Sequence, residues 1–543
     1  MFTELPVETV LLTVGYLSIP SIHSLELVTK RFHDLIVANK STVYRSAALF
    51  HNFIPSAKIE IDQLGTLDLP NGILEGMKRE WKAFCQRMFQ LDKNWRGLGP
   101  SALVCYPSAG IKPACVRADE KEGFVVNVQD VRGFDPGLIV VDKAGGGILW
   151  KQRWDFVQTY VIEYHLGYLV LNTPGWREVW RLATIPDPYP PSPAEQGSFP
   201  YPQPSQSEIS EDAFETYQAT YPKGHFVPHA AFPYGSSARA FRMMFPTLLS
   251  VHDEGEIHIY DVPSRRLIQK VLLRTDAMVH PSLGYALPSL GTIWTIDSSS
   301  NHIFLTSADS GSVRVFERST GRWILDMGCD DYGERTLKCI ETESGGMHDS
   351  AAVVRSRVVE LEAEERSQLQ SYDFSEGSGS KKLRVSRCGN HFVTLNSRLI
   401  TPGTHTCQLV IVRNFPEIPP GDADEMSRHT AQIVLGVPHA TFDFDGHRRV
   451  FVGKENGVLI LDISKYLAST GEIEALSIPA FTRGSRVFTC EVTDSGVYFD
   501  WNVNRVDWAA WDMNERRKGD DGLRRAVDRS SHVFGVDFGT WDD

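Results

Sequence analysis

Apolar residues recur every three or four positions near the start of the chain: Val7, Val10, Leu11, Val14 and Leu17, then Ile22, Leu25 and Val28, then Phe32, Leu35 and Ile36. That spacing lays an apolar stripe along a helix face and predicts three short helices. Pro6 suits the first turn, where its missing N–H costs nothing, and Glu8 sits where a carboxylate favours the helix dipole. Ser18-Ile19-Pro20-Ser21 breaks the run and caps the second helix, and the third ends near Asn39. Gly15 inside the first helix costs about 1 kcal/mol relative to alanine. So short a segment cannot bury all these aliphatic groups within itself, which predicts a surface reserved for another subunit. The same stripe would also suit an amphipathic N-terminus packed on its own C-terminal body.

Helical spacing returns at Leu74, Met77, Trp81, Phe84, Cys85 and Met88, predicting a linker helix over about 73–91 that runs toward Asn94-Trp95-Arg96, with Gly97 to terminate it. Beyond residue 100 the period changes, and short β-rich runs alternate with Gly, Asn, Asp and Ser turns. One run repeats: Asp253-Glu254-Gly255-Glu256-Ile257-His258-Ile259-Tyr260-Asp261 is echoed by Asp309-Ser310-Gly311-Ser312-Val313-Arg314-Val315-Phe316-Glu317. The flanks repeat too, with Leu248 to Val251 and Ile303 to Thr306 before, and Arg266-Leu267-Ile268 and Arg322-Trp323-Ile324 after. Weaker echoes end at Trp150-Lys151, Trp180-Arg181, Val412-Arg413, Leu461-Asp462 and Trp511-Asp512, giving seven candidate repeats. Phe534 to Phe538 offers a strand that closes the ring, and a pair of β-sandwiches is the structural alternative. Pro186 to Pro204, with eight prolines around Tyr189, Phe199 and Tyr201, is expected to be an extended insertion. Gly333 to Gly346 and Ser375 to Lys382 are read as further exposed loops, and Arg516-Arg517-Lys518 with Arg524-Arg525 as a basic one.

Over residues 4 to 46 the chain resembles the F-box. The residues that carry the resemblance are Leu5-Pro6-Val7-Glu8, the aliphatic helix after them, and Val28-Thr29-Lys30-Arg31-Phe32-His33-Asp34-Leu35-Ile36, with Tyr44 where the family more often closes on Trp. The resemblance implies docking onto the Skp-type adaptor of a cullin ubiquitin ligase, with Leu5, Pro6, Val10, Leu17, Val28, Phe32 and Ile36 facing the adaptor or bracing that face. The β-rich part resembles the WD-repeat β-propeller, with most of its Gly-His and structural Asp positions absent. The expected architecture is therefore α plus all-β: an F-box over 1–50, a linker over 51–99, and a propeller of about seven degenerate blades over 100–543, carrying a Pro-rich insertion over about 184–235. The implied role is a non-catalytic substrate receptor whose helices bind the adaptor and whose propeller binds a protein target. Two alternatives are an interaction scaffold that assembles no ligase and a propeller enzyme or lectin.

Composition narrows this modestly. The 543 residues are 42 % hydrophobic and 23 % charged, enough for a large core. A net charge of −13 argues against a nucleic-acid or anionic-membrane binder, both of which need a basic footprint. Eight cysteines at 85, 105, 115, 329, 339, 388, 407 and 490 include no Cys-x-x-Cys pair, which fits a reduced compartment without a zinc site. No signal-like start or membrane-length apolar run is present, so cytoplasm or nucleus is expected. No His-Glu-x-x-His or Gly-x-Ser-x-Gly occurs. Glu376 to Lys381 lacks the phosphate-loop frame, and Asp443-Phe444-Asp445-Gly446 lacks the remaining ligands of a calcium loop and fits a strand entering a turn. No cofactor, metal or catalytic residue is expected.

Overall fold

A computed structural model describes the chain apart from residues 1–4, 52, 55, 67–73, 75–76, 78, 107–112, 130–136, 154–161, 174, 191–199, 218–222, 235–239, 253–254, 274–292, 308–311, 328–334, 342–353, 363–379, 402–403, 420–421, 438–439, 455–456, 469–471, 480–486, 488–489, 494, 502–531 and 539–543. Four short helices, one more than the spacing predicts, open it: α1 (Val7–Gly15), α2 (Ile19–Val28), α3 (Lys30–Ala38) and α4 (Lys40–Phe50). Ser18 caps α2 by accepting from Ser21 N at 3.3 Å, and Thr29 caps α3 by accepting from Phe32 N at 3.2 Å. Gly15 has a packing reason: a Cβ there would stand 2.7 Å from the Ser46 Cβ, so α1 and α4 approach closely only because the side chain is missing.

The linker helix α5 spans Trp81–Trp95 and opens later than the apolar spacing suggests. Leu74 and Met77 keep the apolar phase and pack against the core, but Gly72 and Gly76 weaken helix there, and neither Leu74 nor Met77 is helical. At the other end Gly97, at φ +64°, follows the last turn as expected.

Seven four-stranded antiparallel blades follow: I (113–153), II (162–233), III (241–272), IV (293–327), V (380–434), VI (441–479) and VII, made of 490–537 with Ala102–Tyr106. Ala102–Tyr106 pairs antiparallel with His532–Asp537 as the outermost strand of blade VII, so both ends of the β region close one blade. Strands inside blades are buried on both faces, which is why Leu138 to Val141 and Val458 to Leu461 are uninterrupted apolar runs. The echoed motifs lie on the third strands of blades III and IV, Glu256–Asp261 and Val313–Glu317. Blades I to IV each break register between third and outermost strand, at Val140/Val141, Val179/Trp180, Ile259/Tyr260 and Val315/Phe316, so a bulge repeats with the sequence.

Several expectations change. Trp511-Asp512 and the basic loop lie outside the described residues. The Pro-rich insertion separates the third strand of blade II from its outermost strand, but ends sooner than residue 235: Phe226–Pro233 is that outermost strand, pairing with Trp176–Leu182. The insertion also contains helix α6 (Pro204–Tyr217). Gly333 to Gly346 is not all loop, because Arg335–Glu341 pairs with Val354–Glu360, and this added hairpin joins the outer edges of blades V and VI into one ten-stranded sheet. Ser380–Val385 is the innermost strand of blade V, so only the part of Ser375 to Lys382 before Ser380 stays outside a strand assignment, and it lies outside the described residues. The glycine-rich composition of both stretches hid alternating residues that neighbouring strand edges hydrogen-bond.

Candidate functional site

Helix α1 is apolar over more than one face, since Val7, Leu12 and Tyr16 add to the stripe of Val10, Leu11, Val14 and Leu17. A helix of that kind needs cover on two sides. Its own chain supplies one: Val10 and Val14 are buried with Ile19, Ile22, Ile36, Val43 and Tyr44. The other side stays open. Nine of the eighteen large apolar side chains left exposed among the described residues fall within the first fifty positions: Leu5, Val7, Leu12, Tyr16, Leu27, Val28, Val37, Leu49 and Phe50. Leu27 is 73 % exposed and Val28 66 %. Tyr16 meets Phe50 edge-on, 5.3 Å between ring centres, so the α1 and α4 groups form one patch.

The seven residues singled out from the family pattern divide accordingly. Leu5, Pro6 and Val28 are exposed, Leu17 and Phe32 are half-buried, and Val10 and Ile36 lie in the core beneath. Leu12, Tyr16, Leu27, Leu49 and Phe50 were not singled out; the two-faced apolarity of α1 was the signal available for the first two.

A buried polar node fixes the helices behind this surface. The Tyr44 hydroxyl donates to Glu26 Oε1 at 3.1 Å, Lys82 Nζ lies 2.6 Å from Glu26 Oε2, and Cys85 Sγ donates to the Tyr44 carbonyl at 3.1 Å. Burial alone would raise the Glu26 carboxyl, but Lys82 and the Tyr44 hydroxyl outweigh it and hold it below the ordinary carboxylate value. Tyr44 is thus a hydrogen-bonding member of the core linking α2, α4 and α5, a role that Trp in its place could not fill through a hydroxyl.

Helix α5 joins this bundle to the propeller. Trp95 stacks on Phe538 with ring centres 3.9 Å apart and meets Phe451 edge-on at 5.5 Å. Asn94 Nδ2 donates to the Phe538 carbonyl at 2.7 Å. One hydrophobic core therefore runs from Val10 through Phe84 and Trp95 to Phe451 and Val536. The contact involves the turn after the innermost strand of blade VI, where Arg448 Nη2 lies 2.5 Å from Asp92 Oδ1. Because the innermost strands of a propeller run in one sense, their first residues open on the opposite face. Trp294, 54 % exposed, is the second residue of the innermost strand of blade IV and stands toward that face.

The bore is filled. Every innermost strand places a charge there: Arg117, Glu163, Arg242, Asp297, Arg384, Asp443 and Glu491 in blades I to VII, with Lys382 of blade V a second one beside Asp443. Arg242 Nη1 lies 2.6 Å from Glu163 Oε2, Arg242 Nε 3.4 Å from Asp297 Oδ1, and Arg384 Nε 3.0 Å from Asp443 Oδ1. Arg117 Nη2 lies 3.7 Å from Glu163 Oε1, and Arg384 Nη2 reaches across the ring to within 4.0 Å of the same oxygen. The acids also accept backbone N–H groups of the following blade: Val385 to Asp297 at 2.9 Å, Val492 to Asp443 at 3.1 Å, and Ala118 to Glu491. Signs alternate around these seven, but seven is odd, so two like charges must be neighbours, and they are Asp443 and Glu491. Burial raises Asp443, but Lys382, Arg384 and Arg117 outweigh it and bring it down to about 2. Burial pushes Glu491 up to about 8, with Arg117 opposing and Asp443 adding to the rise.

The sign of the pH dependence follows. A carboxyl raised from 4.5 to about 8 binds more protons folded than unfolded across that window, so its contribution to stability declines as pH rises from 4.5 and is fully lost above 8. Glu491→Gln keeps an acceptor for Ala118 and removes the titration. The expected result is that wild type loses on the order of 2 kcal/mol more than the variant between pH 6 and 8 in urea denaturation. Parallel pH profiles for the two proteins would show that Glu491 does not titrate in this window.

Among the described residues no group of three or more His, Cys, Asp or Glu side chains is arranged to hold a metal, and no helix is long and apolar enough to cross a membrane. No family model and no curated protein matches the chain. Among solved structures it is similar to Hsv2 from Kluyvelomyces marxianus, at 10 % identity and a TM-score of 0.35, over 64 % of this chain and 78 % of that one. It is also similar to the computationally designed Ika8 protein, at 14 % identity and a TM-score of 0.33, over 74 % of this chain and 96 % of that one. At these scores neither likeness bears on function.

Proposed function

We propose that the chain is a non-catalytic substrate receptor: helices α1 to α4 dock a Skp-type adaptor and through it a cullin, and the propeller holds a protein target for ubiquitin transfer. The observation that carries this reading is the uncovered apolar surface on α1 to α4, in the segment where the F-box pattern lies. Leaving such side chains in water is unfavourable by roughly 1.5–3 kcal/mol each when a partner surface is at hand, so several together sustain a complex. A receptor acts by raising the effective concentration of its target near a charged transfer enzyme and needs no reactive residue of its own. The filled bore leaves the faces for target binding, and the face bearing Trp294 lies away from the turn of blade VI that α5 contacts.

The test uses Leu5→Ala with Pro6→Ala in the full chain. Both residues are exposed, so the thermal midpoint stays within about 2 °C of wild type. Adaptor binding is expected to fall by about 100-fold, matching roughly 3 kcal/mol of lost apolar burial. Adaptor captured equally by wild type and variant would overturn docking at this surface. Capture of adaptor without a cullin, or without ubiquitylation of a bound protein, would favour the scaffold instead.

A further inference from the structure

Where the C-terminal end of α5 meets blade VI, the surface folds into a cavity of about 460 Å³, walled by Trp95, Arg96 and Leu98 from the helix side and by Val358, Arg449 and Ile460 from the propeller side. That volume lies within the range of small-molecule sites, which also favour junctions between modules.

The polar groups here are unevenly matched. Asp92 faces three guanidinium groups: Arg448 Nη2 at 2.5 Å and Arg449 Nη2 at 3.6 Å from Oδ1, and Arg96 Nε at 3.1 Å from Oδ2. Arg449, only 6 % exposed, has an Nη2 that makes no hydrogen bond, and neither does Asp92 Oδ1 beside it. Its guanidinium lies 4.5 Å from the centre of the Trp95 ring, over that ring. Burial, with Arg448 adding to it and Asp445, Asp92 and Asp462 opposing, lowers Arg449 to about 10. Two acids also line the cavity: Asp462, whose Oδ1 accepts from Ser464 N at 3.0 Å and Ser464 Oγ at 2.5 Å and whose charge also acts on Arg448 and Arg449, and Glu474, whose Oε1 lies 2.9 Å from Lys465 Nζ. What is missing is a hydrogen-bond acceptor for Arg449 Nη2 beside an apolar wall.

We infer that this cavity binds a small organic anion, a carboxylate or phosphate on an apolar body, with the anionic head on Arg449 and Arg96 and the body against Trp95, Leu98, Val358 and Ile460. An occupant bridges helix and propeller, so binding stiffens the joint between them. The inference stands independently of adaptor docking, since no residue of α1 to α4 lines the cavity.

Isothermal titration of the full chain with octanoate and with phenyl phosphate tests it, with octan-1-ol and octylamine as matched uncharged and cationic probes. Octanoate or phenyl phosphate is expected to bind at least about 10-fold more tightly than octan-1-ol, the contrast a charge-assisted hydrogen bond supplies. Arg449→Gln is expected to abolish that contrast. Because Arg449 also packs on Trp95, a second variant guards against misfolding: Val358→Trp, at a half-buried position, fills the cavity and is expected to remove binding of both anions while keeping the wild-type circular dichroism. Neither anion binding below about 10 mM, equal binding of octan-1-ol or octylamine, or anion binding unaffected in Val358→Trp would each overturn the inference.

Discussion

Trp95→Ala is expected to lower the unfolding free energy by about 3–5 kcal/mol, the range for deleting a large buried aromatic side chain. Trp95 is buried against Phe538 and Phe451, beneath the Arg449 guanidinium, where the core of the helical bundle continues into the blades. The loss is expected to be local as well as global. Amide exchange in α5 should rise steeply, because Asn94 loses its positioned bond to the Phe538 carbonyl, while the inner strands of blades II to IV keep wild-type protection. Uniform loss of protection across all blades would mean that Trp95 supports the ring itself and not only its joint to the helices.

The second large effect is expected from Arg384→Met. Arg384 is buried beside Asp443 and within reach of Glu163, so its removal strands two acids in the bore with less counter-charge. Breaking a buried pair on one side costs roughly 3–5 kcal/mol, because the remaining charge is uncompensated. Lys382 Nζ, 4.0 Å from Asp443 Oδ1, and Arg242 beside Glu163 soften the penalty toward the lower end. Adding Asp443→Asn neutralises one stranded acid while keeping an acceptor for Val492 N, and is expected to recover about half of the loss in urea denaturation. If the double variant were no more stable than the single one, lost packing and not stranded charge would account for the effect.

The two largest effects fall on residues of different visibility. Trp95 was legible: it closes a helical apolar pattern just before a terminating glycine. Arg384 was not. The inner-strand charges sit among apolar neighbours, as in Phe241-Arg242-Met243 and Phe442-Asp443-Phe444, and read singly each looks like part of a strand with one polar face. Their partners lie on other blades at irregular sequence intervals, so no local window contains a pair. The added hairpin at Arg335–Glu341 was missed for a related reason, since its hydrogen bonds go to Thr430–Val434 and, through Val354–Glu360, to Glu474–Pro479.

Element type and repetition were set locally. Periods of 3.6 and 2 in apolar residues, the Ser18 cap, and the echo between Glu256–Asp261 and Val313–Glu317 place helices first and repeated strands after, because these signals depend on neighbours within a few residues. Which apolar groups of α1 stay in water, which charge in the ring is mismatched, and where a cavity opens at the joint were decided by tertiary packing. Each depends on chain segments hundreds of residues apart meeting: burial and charge balance belong to the assembled surroundings of a side chain, and its position along the chain does not carry them.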